Sequence, residues 1–120
     1  MTRPHLNVVV PSAAIYKITN DATSDVYVGS TIRGVVRRMR DHVLESHRGP
    51  SPHPLNSLMR KWGSGRFQVT TLETFRNISK PDLLIEEGRW VLKLATLNRI
   101  VPGKMSEHKR NGTLYLMSMD

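Results

Sequence analysis

Apolar, β-branched and aromatic residues are concentrated in two stretches near the start of the chain, Ala13–Thr19 and Asp25–Ser30. The polar residues between them (Asn-Asp-Ala-Thr-Ser) favour a turn, so we expect these two strands to form an antiparallel hairpin. Another strand is predicted over Phe67–Phe75, and residues 6–10 predict a short strand that Pro11 ends. Together these stretches predict a small antiparallel sheet.

Three other stretches carry apolar residues at helical spacing. The first helix is expected to begin after a cap at Ser30 or Thr31 and to run to about Ser46. Its predicted inner face consists of Val36, Met39 and Val43. The second helix follows a proline-rich loop at residues 47–54, and its apolar stripe is Leu55, Leu58, Met59 and Trp62. The third covers residues 80–97, so strands and helices together predict an α+β domain.

The third helix places a carboxylate inside its apolar stripe. That stripe consists of Leu83, Leu84, Trp90, Val91 and Leu94. Glu87 falls within it, whereas the adjacent Glu86 shares a face with Arg89 and Lys93, as is typical of an ion-paired surface. An inward carboxylate is costly unless it meets a cation or several donors. Glu87 is therefore either a metal ligand or a glutamate at the edge of the stripe that extends to solvent or pairs with an arginine.

The predicted hairpin places two tyrosines on one face of the sheet if its loop has an even number of residues. Tyr16 and Tyr27 then face each other directly across a two-residue loop, or diagonally across a four-residue loop. With Gly29 beside them to let a ligand approach, the two phenols can hold or deprotonate a nucleophilic water. A purely structural aromatic pair is the alternative.

The first helix brings an arginine and a histidine to one face, because Arg38 and His42 are four residues apart. The planar guanidinium suits a phosphate, and the imidazole can move a proton near neutral pH. An ordinary basic helix surface would carry the same pair. The five histidines of the chain show no spacing typical of a zinc site.

The distribution of charged residues indicates a binding partner. The 120 residues include 18 Lys and Arg against 10 Asp and Glu, which gives a net charge of +8. Residues 33–66 hold eight of the basic side chains, and a localised basic field attracts polyanions, most commonly nucleic acid. The side chains expected to bind DNA are Arg33, Arg37, Arg40, Arg48, Arg60 and Lys61.

Composition also excludes several classes of protein. The chain contains no cysteine, which excludes disulfides and thiolate metal sites and fits a cytoplasmic protein. No apolar run approaches the ~20 residues that a membrane-spanning helix needs. We therefore expect a single domain over residues 1–120 that does not bind membranes.

Five short motifs, taken in order, resemble the GIY-YIG nucleases, and in particular the catalytic domains of phage and intron homing endonucleases. They are Ala14-Ile15-Tyr16, Tyr27-Val28-Gly29, Arg38-Met39-Arg40-Asp41-His42, Glu87-Gly88-Arg89-Trp90 and Leu97-Asn98. The resemblance covers about residues 13–100 and leaves 1–12 and 101–120 as terminal extensions. It implies a three-stranded antiparallel sheet flanked by helices, in a bacterial or phage-encoded chain. Ala14 stands where the family usually has glycine, which matters only if that residue needs a positive φ.

The resemblance also implies roles for the candidate residues. Tyr16 or Tyr27 would be the general base that activates water, with Tyr16 the first choice. Arg38 would stabilise the scissile phosphate, and His42 would assist proton transfer. Glu87 would be the single carboxylate ligand of one divalent ion per site, Mg²⁺ or Mn²⁺.

Two further residues, Gly29 and Asn98, are expected to support this site. The implied activity is metal-dependent hydrolysis of phosphodiester bonds in DNA. Sequence specificity is expected to be low, or to come from a homodimer, a partner protein or the terminal extensions. The alternative is a catalytically inactive nucleic-acid-binding module, which explains the basic charge but gives no reason for an inward glutamate.

Overall fold

A three-stranded antiparallel sheet with helices on both faces forms the centre of the fold. The computed structural model describes residues 8–98, so most of the two predicted terminal extensions lies outside the described residues. The strands are β1 (Val9–Asn20), β2 (Tyr27–Thr31) and β3 (Phe67–Ser79), and they lie in the order β2-β1-β3. The helices are α1 (Val35–Ser46), α2 (Pro54–Trp62) and α3 (Lys80–Leu94). The predicted α+β class and the three-stranded sheet are confirmed.

The register of the β1–β2 hairpin places the two tyrosines diagonally. Tyr16 lies opposite Gly29, and Tyr27 lies opposite Ile18, two positions along β1 from Tyr16. This is the arrangement expected for a loop with an even number of residues. Asn20 organises the turn, because its side-chain oxygen accepts hydrogen bonds from the N–H groups of residues 22 and 23 at 2.8 and 2.7 Å.

The strands β1 and β3 are longer than predicted. Pro11 does not end the first strand, because within residues 8–98 this end of β1 pairs only with β3, and pairing with β2 starts at Ala14. A proline can occupy an edge without removing a ladder hydrogen bond. β3 likewise continues past the predicted end at Phe75 to Ser79, paired with this extension of β1. The two strands therefore reach well beyond the hairpin.

The predicted cap of the first helix is wrong. Gly34 occupies the cap position with a φ of +96°, and none of the described side chains caps the helix. Thr31 instead ends β2, and its hydroxyl accepts a hydrogen bond from the N–H of Arg33 at 3.0 Å. The helix therefore begins only at Val35, because the chain needs these residues to turn away from the edge of the sheet.

Two residues of α1 and α3 that were predicted to face the core are instead exposed. Val36 is 72% exposed and Leu84 is 44% exposed. Val35 replaces Val36 beside the predicted Met39 and Val43, and Leu83 carries the inner face of α3. Each wrong assignment is shifted by one residue from the residue that faces the core. Two adjacent apolar residues fit the helical period almost equally well, so the pattern does not decide between them. The third helix also ends at Leu94 rather than at residue 97.

The two faces of the sheet bury separate apolar clusters. On one face Ile15 and Val28 pack with Leu83 and Val91 of α3. On the other face α1 and α2 cover a cluster made of Tyr16, Ile18, Tyr27, Leu55, Met59 and Phe67, with Val35, Met39 and Val43 packed against it. Alternation along the strands explains the division, since neighbouring residues point to opposite faces. Both tyrosines therefore lie under α1 and α2.

Candidate active site

Tyr16 lies at the centre of a buried polar cluster between the sheet and α1. Its side chain is 1% exposed, and its hydroxyl oxygen lies 2.9 Å from Nε2 of His42. Arg38, one turn earlier on the same helix, lies near enough for its guanidinium to interact electrostatically with Tyr16. The predicted pairing of Arg38 and His42 on one helix face is therefore confirmed, and both residues meet the same phenol.

Gly29 makes room for this phenol. It lies opposite Tyr16, and a Cβ atom at this position would stand 2.5 Å from the Tyr16 hydroxyl oxygen and 2.7 Å from Cζ. Carbon and oxygen atoms normally approach no closer than about 3.3 Å. The space beside Gly29 thus holds the ring of Tyr16, whereas the sequence suggested close approach of a ligand. Ala14 needs no glycine, because Asn77 is the one non-glycine residue with positive φ in the described chain.

Tyr27, which is 3% exposed, is one of four aromatic rings that lie close together. The ring centroids of Tyr16 and Tyr27 are 6.4 Å apart. The His42 ring lies edge-on to both tyrosines, at 6.0 and 5.4 Å. His53 completes the group, with its centroid 5.6 Å from Tyr27 and 6.2 Å from His42.

His53 is a residue of this site that sequence reasoning missed. It occupies the cap position of α2, where its Nδ1 accepts a hydrogen bond from the N–H of Leu55 at 3.3 Å. An accepting Nδ1 carries no proton, so the neutral ring has its proton on Nε2. The loop before α2 has no periodic pattern to indicate where His53 points. The one available signal was Pro54, which marks the preceding residue as a helix cap.

The electrostatics of the cluster keep His42 neutral and Arg38 charged. Burial and then the charges of Arg38 and His53 lower the pKa of His42 to about 3. Burial also lowers the pKa of Arg38, but the nearby Tyr16, Tyr27 and Glu45 side chains raise it, and the net direction is upward. The site therefore presents a permanent cation beside a neutral imidazole at physiological pH.

The protonation of the His42 ring follows from its second nitrogen. Nδ1 is buried and has no hydrogen-bond partner within residues 8–98. Buried N–H groups without a partner are rarer than under-satisfied acceptors. The favoured tautomer therefore carries its proton on Nε2 and donates it to the Tyr16 oxygen.

Glu87 lies on the opposite face of β2 from the tyrosines. It is 8% exposed, which confirms its predicted inward position, and its carboxylate accepts a hydrogen bond from the Ser30 hydroxyl. Strand alternation directs Ser30 towards α3, while Tyr27 points towards α1 and α2. The predicted contrast with Glu86 is also confirmed, since its carboxylate lies 3.7 Å from the guanidinium of Arg89 at the surface.

Asn98 binds the outer edge of β2. Its Oδ1 accepts from the N–H of Val28 at 3.0 Å, and its Nδ2 donates to the carbonyl of Val28 at 2.7 Å. The backbone N–H groups of Thr96 and Leu97 donate to the carbonyl of Val26 at 2.8 and 3.1 Å. The segment after α3 thus satisfies part of an exposed strand edge and holds β2 between Tyr27 and Gly29.

The basic side chains that were predicted to bind DNA are all exposed. They are Arg33, Arg37, Arg40, Arg48, Arg60 and Lys61. A cavity of about 500 Å³ at the start of α1 is lined by Arg33, Arg37 and Arg40 together with residues 34–36. Arg33 also forms an ion pair with Asp41 at 2.7 Å, and Arg60 donates to the carbonyl of Ser46 at 3.1 Å.

The Glu87 carboxylate and the Ser30 hydroxyl are oxygen donors, the kind of ligand that Mg²⁺ prefers. Over residues 8–98, no three His, Asp or Glu side chains are grouped so that they could hold a metal. Mg²⁺ does not need such a group, because it keeps several waters and is commonly bound by one or two carboxylates together with substrate phosphates. The buried Glu87, oriented by Ser30, suits this mode.

Within residues 8–98, none of the helices has the length and apolar character needed to cross a membrane.

Two solved structures share this fold. The catalytic domain of intron endonuclease I-TevI, in a glutamate-to-alanine mutant, is 23% identical with a TM-score of 0.63 and covers 75% of this chain and 95% of that domain. The catalytic domain of homing endonuclease I-TevI in a second structure is 28% identical with a TM-score of 0.56, covering 68% of this chain and 87% of that domain. The expected GIY-YIG fold is confirmed.

A curated viral protein shows similarity in sequence. An MSV199 domain-containing protein of Invertebrate iridescent virus 6 is 31% identical over 86 residues, which are 72% of this chain. The chain spans about a third of the length of that relative, since the match takes in 35% of it. No protein-family model matches the chain.

Proposed function

We propose that this chain, whose fold is that of an endonuclease catalytic domain, hydrolyses phosphodiester bonds in DNA with a divalent metal ion. The observation that carries the proposal is the buried Tyr16 hydroxyl, which is hydrogen-bonded to His42 and has the Arg38 cation beside it. One hydrogen-bond partner is enough for a buried structural tyrosine. A cation and a neutral N–H donor at one phenol oxygen instead favour its negatively charged form.

Tyr16 is the proposed general base, and Tyr27 is the second candidate. The phenolate oxygen takes a proton from the attacking water and becomes a phenol, while the water oxygen bonds to phosphorus and the bond to the leaving oxygen breaks. Arg38 is about a quarter exposed (27% for its side chain), so its guanidinium can reach a phosphate while it contacts Tyr16. Its planar fork would hold the non-bridging oxygens, on which negative charge develops.

Glu87 would hold the divalent ion, Mg²⁺ or Mn²⁺, with the Ser30 hydroxyl orienting its carboxylate. When bound, such an ion supplies Lewis-acid stabilisation of phosphate oxygens. An ion that binds the folded chain and not the unfolded one stabilises the folded state, so ion binding at Glu87 is expected to stabilise the fold as well.

DNA binding is proposed to rest on phosphate contacts from the exposed basic side chains of α1, α2 and the loop between them. Contacts to phosphates carry no sequence information directly, so specificity should be low and affinity should fall steeply with salt. One DNA sequence bound ~1,000-fold more tightly than random DNA at physiological salt would contradict this part of the proposal. A homodimer or a partner protein as the source of specificity stays a prediction.

The proposal is tested by cleavage of plasmid and of linear single-stranded DNA with Mg²⁺, with Mn²⁺ and with a chelator. Arg38→Lys keeps the charge but loses the planar fork, and we expect it to lower the cleavage rate about 100-fold or more. Arg89→Lys is the matched control, because Arg89 is exposed on α3 and pairs with Glu86. DNA binding without cleavage under every condition would instead support the inactive nucleic-acid-binding module.

A further inference from the structure

Trp62 is an exposed tryptophan at the last position of α2, with two cations against its ring. It is 36% exposed, although its spacing predicted a place on the inner stripe of the helix. The Lys61 ammonium lies 5.4 Å from a ring centroid of Trp62, and the Arg66 guanidinium lies 5.9 Å from one. Both distances fall within the range of cation–π contact, about 6 Å. Arg66 is also held by the carboxylate of Asp21 at 2.7 Å.

The surroundings of Trp62 are basic rather than apolar. Residues 60–66 contain three basic side chains and no acidic one. A cavity of about 310 Å³ next to this segment is lined in part by His47, Arg60 and Ser64. Trp62 is 36% exposed, so part of this side chain is accessible at a positively charged surface.

An exposed aromatic ring with basic side chains around it is typical of surfaces that bind single-stranded nucleic acid, since every base has a face that can stack. Paired bases in duplex DNA are already stacked on their neighbours and do not present that face. We propose that Trp62 stacks on an unpaired base while Lys61 and Arg66 contact the flanking phosphates. The DNA substrate then contains a single-stranded part, such as a flap or a branch. This inference rests on the proposed function.

The length of α2 sets the distance between this platform and the candidate active site. His53, which caps the start of α2, contacts Tyr27, and Trp62 lies nine residues further along. At 1.5 Å per residue the separation along the helix is about 13 Å. Four nucleotides in one strand of a duplex rise about the same distance, at about 3.4 Å each. The stacked base should therefore lie within a few nucleotides of the bond that is cut.

Tryptophan fluorescence tests the platform directly. The chain has two tryptophans, so Trp90→Phe leaves Trp62 as the single reporter. This variant is titrated, with chelator present, with an oligothymidylate of about 12 nucleotides and with a hairpin duplex that has the same number of phosphates. Single-stranded DNA should quench the Trp62 emission, and the duplex should leave it nearly unchanged. Equal quenching by both would overturn the proposal.

Affinity measurements on other variants give a second readout. Trp62→Ala should weaken oligothymidylate binding about 10- to 100-fold, which corresponds to about 1.4–2.8 kcal/mol, and change duplex binding less than about 2-fold. Trp62→Phe should recover most of the loss, because a phenyl ring still stacks. Leu92→Ala is the control, since Leu92 is an equally apolar but more exposed residue (60%) on α3. Equal losses on both DNA forms, or tighter binding of oligouridylate RNA, would overturn the platform.

Cleavage separates this inference from the proposed function. The wild-type protein should cut a flapped substrate at least about 10-fold faster than a matched perfect duplex, and Trp62→Ala should reduce that preference. Equal rates on both substrates would overturn the platform and leave the endonuclease proposal in place. No cleavage of any DNA form would refute the endonuclease proposal, while selective quenching of Trp62 by single-stranded DNA would still support the platform.

Discussion

Replacing Gly29 with alanine is expected to displace the ring of Tyr16. The added Cβ atom would lie 2.5 Å from the Tyr16 hydroxyl oxygen, so the ring has to move about 1 Å to restore a normal carbon–oxygen contact. The methyl group would also meet Cε2 of Tyr27 at 3.1 Å, which blocks relaxation in that direction. The hydroxyl now lies 2.9 Å from Nε2 of His42, and a displacement of about 1 Å would break that hydrogen bond.

Two measurements check this prediction. Overpacking of this kind lowers the free energy of unfolding by about 1–3 kcal/mol, which urea denaturation resolves. Single-turnover cleavage should fall about 100-fold, the usual consequence of misplacing a catalytic group by 1 Å. Gly65→Ala is the matched control, because its Cβ atom would meet nothing within 4 Å and its φ lies outside the left-handed region. Wild-type stability and turnover in the Gly29 variant would refute the packing argument and the role of Tyr16 together.

Three other predictions concern charge and protonation. Tyr16→Phe and Tyr27→Phe should both fold, and at least one of them should cut DNA about 100-fold more slowly; wild-type rates in both would exclude a tyrosine base. Glu87→Gln should abolish magnesium-dependent cleavage but leave DNA binding unchanged. Glu86→Gln should stay active and lose at most about 0.5 kcal/mol of stability. Loss of cleavage in the Glu86 variant but not in the Glu87 variant, measured against magnesium concentration, would contradict the metal site. The pKa of His42, about 3, lies below the ordinary value of 6.5, so folding favours the neutral ring. This contribution to stability is complete above about pH 6.5 and is lost as the pH falls towards 3. Between pH 6 and pH 4 the free energy of unfolding of the wild type, measured in urea, should therefore fall by about 1.4 kcal/mol per pH unit more than that of His42→Gln. Parallel pH dependences for the two proteins would show that His42 is not buried in its neutral form.

The local pattern of apolar and polar residues was sufficient to predict the fold class and most of the strands and helices. Strand-forming residues on both sides of a polar turn are enough to predict the hairpin, because its hydrogen bonds join neighbouring stretches of chain. The effect of Pro11 could not be predicted from the neighbouring residues. Whether a proline ends a strand depends on which side of that strand is paired, and the partner of β1 at this position lies in β3, far along the chain.

The faces of the helices were predicted correctly where a polar residue marked the pattern. The spacing of Glu87 within its stripe identified it as inward, and the interval between Arg38 and His42 placed them together. Val36 and Leu84 were assigned wrongly, because each has an apolar neighbour that serves the core equally well. The exact start of a helix decides between two such neighbours, and that start depends on how the chain leaves the sheet.

By itself the sequence determined the residues that share one element: the two tyrosines of the hairpin, the arginine–histidine pair of α1 and the inward carboxylate of α3. Only the tertiary structure decided how these elements meet. It brought His53 beside Tyr27, filled the space at Gly29 with the ring of Tyr16, and placed Glu87 on the other face of β2. The physical reason is that backbone periodicity acts over a few residues, whereas contacts between elements depend on close packing of side chains that lie far apart in the chain.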